Sequence, residues 1–104
     1  MGQDVVHYVG DADGEVTRIA VGTGAITNFR LMFSLEADVL LLTDDGTRLW
    51  ESAVWSVDVG VPLILVNHAT AEEPGMRNLA VYVREQFSVP VHQIPQGCLY
   101  RSAT

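Results

Sequence analysis

Apolar positions along the chain fall into short continuous runs separated by stretches of helical spacing, with turn residues at the boundaries. Gly10-Asp11-Ala12-Asp13-Gly14 is a loop by composition. Val16–Val21 then reads as a strand, with Gly22-Thr23-Gly24 as its tight exit. Ile26 to Leu35 is apolar at helical spacing, which puts Ile26, Phe29 and Phe33 on one face. Asp38–Thr43 is a short apolar strand, and Asp44-Asp45-Gly46 turns the chain. Thr47 to Val57 is predicted to be helical, with Trp50, Val54 and Val57 on one stripe and Gly60 as a C-terminal cap. Val61–Val66 is apolar at every position, as expected of a strand buried on both faces. Pro74 suits the first position of the next helix, where Met76, Leu79, Ala80, Val83 and Phe87 recur as one buried stripe. Val89–Ile94 reads as a final strand, followed by an irregular tail with Cys98 and Tyr100.

The order is strand and helix three times, then a strand. Buried strands alternating with helices predict an α/β fold, a three-layer α/β/α arrangement around a mainly parallel sheet. Right-handed crossovers follow from strand twist. In such sheets ligands gather beyond the carboxyl ends of the strands. Three corners qualify: Gly22-Thr23-Gly24, Thr43-Asp44-Asp45, and Asn67-His68 through Glu72.

Composition narrows the field. The 104 residues fit a single α/β domain spanning 1–104, and 48% apolar residues supply a core. The net charge is −7, and all 6 basic residues are arginine. A P-loop lysine and a Schiff-base lysine are therefore excluded. An acidic chain without a basic patch repels phosphate backbones, so no nucleic acid partner is expected. No apolar run approaches the ~20 residues of a membrane span. Met1-Gly2-Gln3-Asp4 does not open a signal peptide. Cys98 is the single cysteine, so a reducing, cytoplasmic setting is expected.

Each corner has a functional and a bland reading. Gly22-Thr23-Gly24 could cradle an anion on backbone N–H groups, or simply make a turn that needs positive φ. Thr43-Asp44-Asp45-Gly46-Thr47 resembles the D-x-D-G-T phosphatase signature of the haloacid dehalogenase superfamily, but Thr43 stands where the nucleophilic aspartate should be. Without that aspartate or any lysine, phosphoryl transfer is rejected. Asp44 and Asp45 remain candidate oxygen ligands for a hard cation, against the alternative of a helix N-terminal cap and turn. His68 follows an apolar strand directly, with Glu72 four residues on. Such a pair can bind one metal ion through N and O, or exchange protons as base and orienter. It can equally be a loop histidine beside a carboxylate that favours a helix N-terminus. His7 and His92 have weaker claims, and Trp50 and Trp55 read as core or interface anchors.

The segment His68-Ala69-Thr70-Ala71-Glu72-Glu73-Pro74-Gly75-Met76 resembles the pattern H-Y-A-T-E-x-P-G-[VM] of the Nif-three-like family of dinuclear metal-centre proteins, often catalogued as type 2 GTP cyclohydrolase I. His, Glu, Pro and Gly keep their spacings. Val16–Ala25 is similar to the strand and glycine turn that open that family's C-terminal half, and Ala37–Thr43 to its middle strand. The resemblance implies that His68 and Glu72 are ligands in a two-metal site holding zinc, iron, manganese or magnesium. It also implies a homo-oligomer, and hydrolysis through a bridging water. The family completes its site with a His-His pair and an aspartate from an N-terminal half, and this chain has no His-His motif. Asp44 replaces a glycine of the middle motif, and Asn67 replaces the glycine before the ligand histidine. The expectation is a metal-binding C-terminal half that becomes a hydrolase only when a partner N-terminal half completes it. The alternative is a non-catalytic oligomerisation module of the same fold.

Overall fold

The computed structural model describes residues 3–103; Met1, Gly2 and Thr104, which the N-terminal signal reading and the 1–104 domain span include, lie outside the described residues. Three parallel strands form the sheet's body: β2 (Ile19–Val21), β3 (Val39–Thr43) and β4 (Leu63–Val66). A fourth strand, β1 (His7–Val9), adds antiparallel to β4, giving the order β1-β4-β3-β2. The architecture is thus α/β with a mainly parallel sheet, as expected.

Strand register sorts the side chains. Ala20 pairs with Leu40, Leu40 with Leu63, and Leu42 with Leu65, so these residues share one face. That face is the core: Leu40, Leu42 and Leu63 are fully buried against Phe29, Met32 and Ala53. Helices α1 (Phe29–Phe33) and α2 (Val54–Val59) cover it. Trp55 locks them together, edge-on to Phe29 at 5.3 Å and to Phe33 at 4.4 Å. On the opposite face Tyr8, Ile19 and Val21 are exposed.

Several expected elements are redrawn. The first helix is only Phe29–Phe33, because Asn28 caps it by accepting the Leu31 N–H at 3.1 Å. Ile26 therefore falls in the preceding turn, 96% exposed, and not on the helix face. The stretch after Thr47 is a π-type turn (Leu49–Ala53) running into α2. Its expected stripe of Trp50, Val54 and Val57 points outward, with Trp50 79% exposed. The buried side is Ser52, Ala53 and Ser56, whose small size lets the helix lie close to the sheet. The Ser52 hydroxyl donates to the Arg48 carbonyl and the Ser56 hydroxyl to the Val61 carbonyl, so both buried hydroxyls are satisfied. Gly60 ends α2 at φ +73°, as expected of a left-handed cap.

The last helix, α3 (His68–Gln86), starts six residues before Pro74, which stands inside it. Proline's missing N–H leaves the Thr70 carbonyl without its i+4 donor, a cost the long helix absorbs. Of the expected buried stripe only Ala80 is buried and Val83 half-buried; Met76, Leu79 and Phe87 are exposed. The helix projects from the sheet, and the radius of gyration is 16.0 Å, against about 13 Å for a compact chain of this length. Val89–Ile94 is not a strand: β1 already occupies the edge beside β4. That segment returns along α3 instead, and the Arg84 guanidinium donates to the Val91 carbonyl at 3.1 Å. Among the described residues no helix is long and apolar enough to cross a membrane.

Candidate functional site

Parallel pairing of Thr43 with Val66 brings the residues that follow each strand side by side. Asp44 and Asp45 therefore face Asn67 and His68 at the sheet's carboxyl edge, where the fold class places ligands. Thr43 is fully buried, and its hydroxyl oxygen accepts the Gly24 N–H at 3.0 Å. The Gly22 N–H donates to the Leu41 carbonyl at 2.9 Å. Gly22 and Gly24 thus spend their N–H groups on β3 and do not offer them to an anion. The corner's role is close approach: a Cβ on Gly46 would lie 2.7 Å from the Gly24 carbonyl oxygen.

Asp44 ties the corners together. Its Oδ1 accepts the His68 backbone N–H at 3.1 Å, and its Oδ2 accepts from Asn67 Nδ2 at 2.9 Å. One orphan donor at the start of α3 is thereby satisfied by a carboxylate that also favours the helix's positive end. Gln3 Oε1 accepts the Asn67 N–H at 3.0 Å. The tail returns to the same region, where the Gly97 N–H donates to Glu73 Oε2 at 3.1 Å. The charge of Asp44 raises the Tyr100 pKa above its ordinary value, followed by burial and a hydrogen bond to the same carboxylate. Tyr100, Cys98, Asp44 and His7 line an open groove of ≈ 1000 Å³.

His68 occupies the first turn of α3, so Glu72 lies one helical turn further along the same face. Nε2 lies 2.8 Å from Glu72 Oε1, and Nδ1 lies 2.6 Å from Asp45 Oδ2. The imidazole is about one-third exposed, at 34%, while Glu72 and Asp45 are at 51% and 39%. The Glu72 hydrogen bond, then that of Asp45, raises the His68 pKa above the ordinary value. Burial pushes Asp45 up, but hydrogen bonds from Thr43 and His68 outweigh it and leave Asp45 below the usual carboxylate range.

The structure thus joins His68 and Glu72 and adds Asp45. The two carboxylates flank opposite ring nitrogens rather than sharing one centre. Among the described residues no three or more His, Cys, Asp or Glu side chains group to hold a metal ion. What remains is one N/O donor pair, a donor set that fits one side of a cation's sphere. The same pair can hold and relay a proton. His92 is exposed and shares a groove of ≈ 440 Å³ with Glu72 and Met76. Thr43 stood in one of the three corners picked out by the sequence, whereas Gln3 and Tyr100 were not visible as site residues. Thr43 had a signal, its place as the last residue of a strand, while the other two depend on chain segments returning from far away.

Comparison with known proteins agrees with the fold. The chain matches the family model described as Duf34/NIF3 (NGG1p interacting factor 3) over residues 1–97. It is similar to the crystal structure of Staphylococcus aureus protein SA1388, at 24% identity and a TM-score of 0.64, covering 79% of this chain and 23% of that one. A second crystal structure, of Staphylococcus aureus hypothetical protein SA1388, gives 25% identity and a TM-score of 0.62 over the same shares, 79% and 23%. No curated protein matches the chain. The chain thus spans about a quarter of the length of these structural neighbours, 23% in each case. With residues 1–97 of its 104 matched, the chain belongs to the Duf34/NIF3 family.

Proposed function

We propose that this chain forms one wall of a divalent-metal site, with His68 giving nitrogen through Nε2 and Glu72 giving oxygen. The observation that carries the reading is their 2.8 Å approach on the first turns of α3. An ion bound to both at about 2.0–2.2 Å would need only a small widening of that gap. Imidazole with carboxylate suits zinc, iron or manganese, and magnesium would lean on the carboxylate and water. The remaining donors would come from an N-terminal half supplied by a partner, or from another copy in a homo-oligomer. When bound, the metal would supply Lewis acidity and an activated water for hydrolysis. His68 and Glu72 would hold and orient it, and Asp44 would fix the start of the helix that carries them. Calorimetric titration of zinc into the chain, His68→Ala and Glu72→Ala tests the reading. Heat of binding is expected from the parent and lost in both variants; binding indifferent to both substitutions would sink it.

A second reading is favoured by exposed apolar side chains on α2 and α3 and the residues beside them, Trp50, Val54 and Val57 in one group and Met76, Leu79 and Phe87 in another. In that reading the chain is a non-catalytic assembly module. It predicts a stable oligomer without stoichiometric metal, which light scattering joined to elemental analysis would separate from the first.

A further inference from the structure

Two carboxylates meet one imidazole, and they are not equivalent. Asp45 Oδ2 lies 2.6 Å from Nδ1, and Glu72 Oε1 lies 2.8 Å from Nε2. Asp45 carries a short side chain in the 3-10 turn Asp44–Gly46. That turn is pinned from several sides. The Asp45 N–H donates to Asp44 Oδ1 at 3.0 Å, and the Thr47 hydroxyl donates to the Thr43 carbonyl at 3.0 Å. Gly46 packs so closely on the Gly24 turn that a Cβ would reach within 2.7 Å of the Gly24 carbonyl. Glu72 has one more rotatable bond and stands on the exposed side of α3. The residue is also held through its backbone, since the His68 N–H donates to Asp44 Oδ1 at 3.1 Å.

We propose that Asp45 is a positioning residue, which accepts the Nδ1 hydrogen of His68 and so reserves Nε2, the nitrogen beside Glu72, for a cation that both would bind. The inference rests on the metal reading above and deepens it, because it assigns Nε2 as the ligating nitrogen and removes Asp45 from the ligands. A carboxylate on the far nitrogen fixes the tautomer and ring orientation and makes the near nitrogen a better donor. The pinned turn is what makes Asp45, and not Glu72, the partner that decides.

The test reads the tautomer directly. Long-range 1H–15N correlation spectra of the metal-free chain, at a pH where the imidazole is neutral, report which nitrogen carries the hydrogen. The parent is expected to show Nδ1–H. Asp45→Ala should revert to Nε2–H, the form a free histidine side chain favours. Asp45→Asn keeps an amide oxygen that accepts from Nδ1 and should restore the parent signature. A parent in the Nε2–H form, or an unchanged tautomer in Asp45→Ala, would overturn the proposal without any metal being present. Zinc titration then separates the two claims. Asp45→Ala is expected to bind about 10–100-fold more weakly than the parent. Equal zinc binding by parent and Asp45→Ala would overturn the positioning role and leave the metal reading intact. The expected tautomers with no zinc binding by any variant would support the positioning role and sink the metal reading.

Discussion

Replacing Thr43 by valine keeps volume and β-branching at the buried end of β3 and removes a single hydroxyl. That hydroxyl accepts the Gly24 N–H at 3.0 Å and hydrogen-bonds the Asp45 carboxylate. It therefore joins the glycine corner to the aspartate turn. In Thr43→Val the Gly24 N–H loses its acceptor at a half-buried position. A buried unsatisfied donor costs about 1–3 kcal/mol, and half-burial with the gained methyl contact places this case at about 1–2 kcal/mol. For a domain of this size that lowers the melting temperature by ~4–15 °C. Thermal and urea unfolding followed by circular dichroism measure it, with an unchanged m-value showing that stability alone moved. A second readout is local: Asp45 should titrate higher, because one of the hydrogen bonds that lowers its pKa is gone. A Thr43→Val chain as stable as the parent, with Asp45 unmoved, would refute the view that this hydroxyl couples the corners.

Other outcomes follow from the same structure. Pro74→Ala restores an N–H to the Thr70 carbonyl and should stabilise the chain by ~1–3 kcal/mol, since proline inside a helix costs about 3 kcal/mol relative to alanine and part of the gain is lost to a freer unfolded chain; destabilisation would contradict the helix starting at His68. Leu63→Ala removes a fully buried core side chain and should cost about 2–5 kcal/mol, whereas Ile94→Ala, at an exposed position, should stay within about 0.5 kcal/mol. The folded His68 pKa is raised, so its contribution to stability is complete below the ordinary histidine value and fades as pH rises through the folded value. An NMR titration should place His68 above an unperturbed histidine, and Glu72→Gln should bring it down. Asp38 runs the other way. Its carboxylate accepts from the Thr17 hydroxyl and from the backbone N–H groups of Thr17 and Arg18, which lowers its pKa. That contribution is present above the ordinary aspartate value and lost as pH falls through the folded one, so Asp38→Asn should flatten the acid limb of the unfolding curve.

The parallel core was legible in the sequence because Val39–Thr43 and Leu63–Val66 are apolar runs too short for helices. The strand-end rule pointed to segments that the fold brings side by side, Asp44-Asp45 and Asn67-His68, for the same reason. Helical spacing was less reliable, since it states which residues share a face but not what covers that face. Trp50, Val54 and Val57 do share a side of the helix, yet the sheet takes the serine side, where hydroxyls satisfied by carbonyls cost little to bury. Pro74 drew the start of α3 too far along, because a proline tolerated inside a helix carries the same letter as one that begins it. Strand β1 was not read from the sequence, although Val5-Val6-His7-Tyr8-Val9 is rich in strand-forming residues; it pairs antiparallel with β4. The Asp45–His68 contact was beyond reach because it arises from the register of two strands, Thr43 against Val66.

The proposed site stands on His68 and Glu72 holding one side of a divalent metal ion. Zinc-edge X-ray absorption on the zinc-loaded chain tests it most directly. The expected result is an N/O shell at about 2.0–2.2 Å containing one imidazole, with no sulfur, and loss of the imidazole signature in His68→Ala. A sulfur shell at about 2.3 Å, which would point to Cys98, or an imidazole signature that survives His68→Ala, would contradict it.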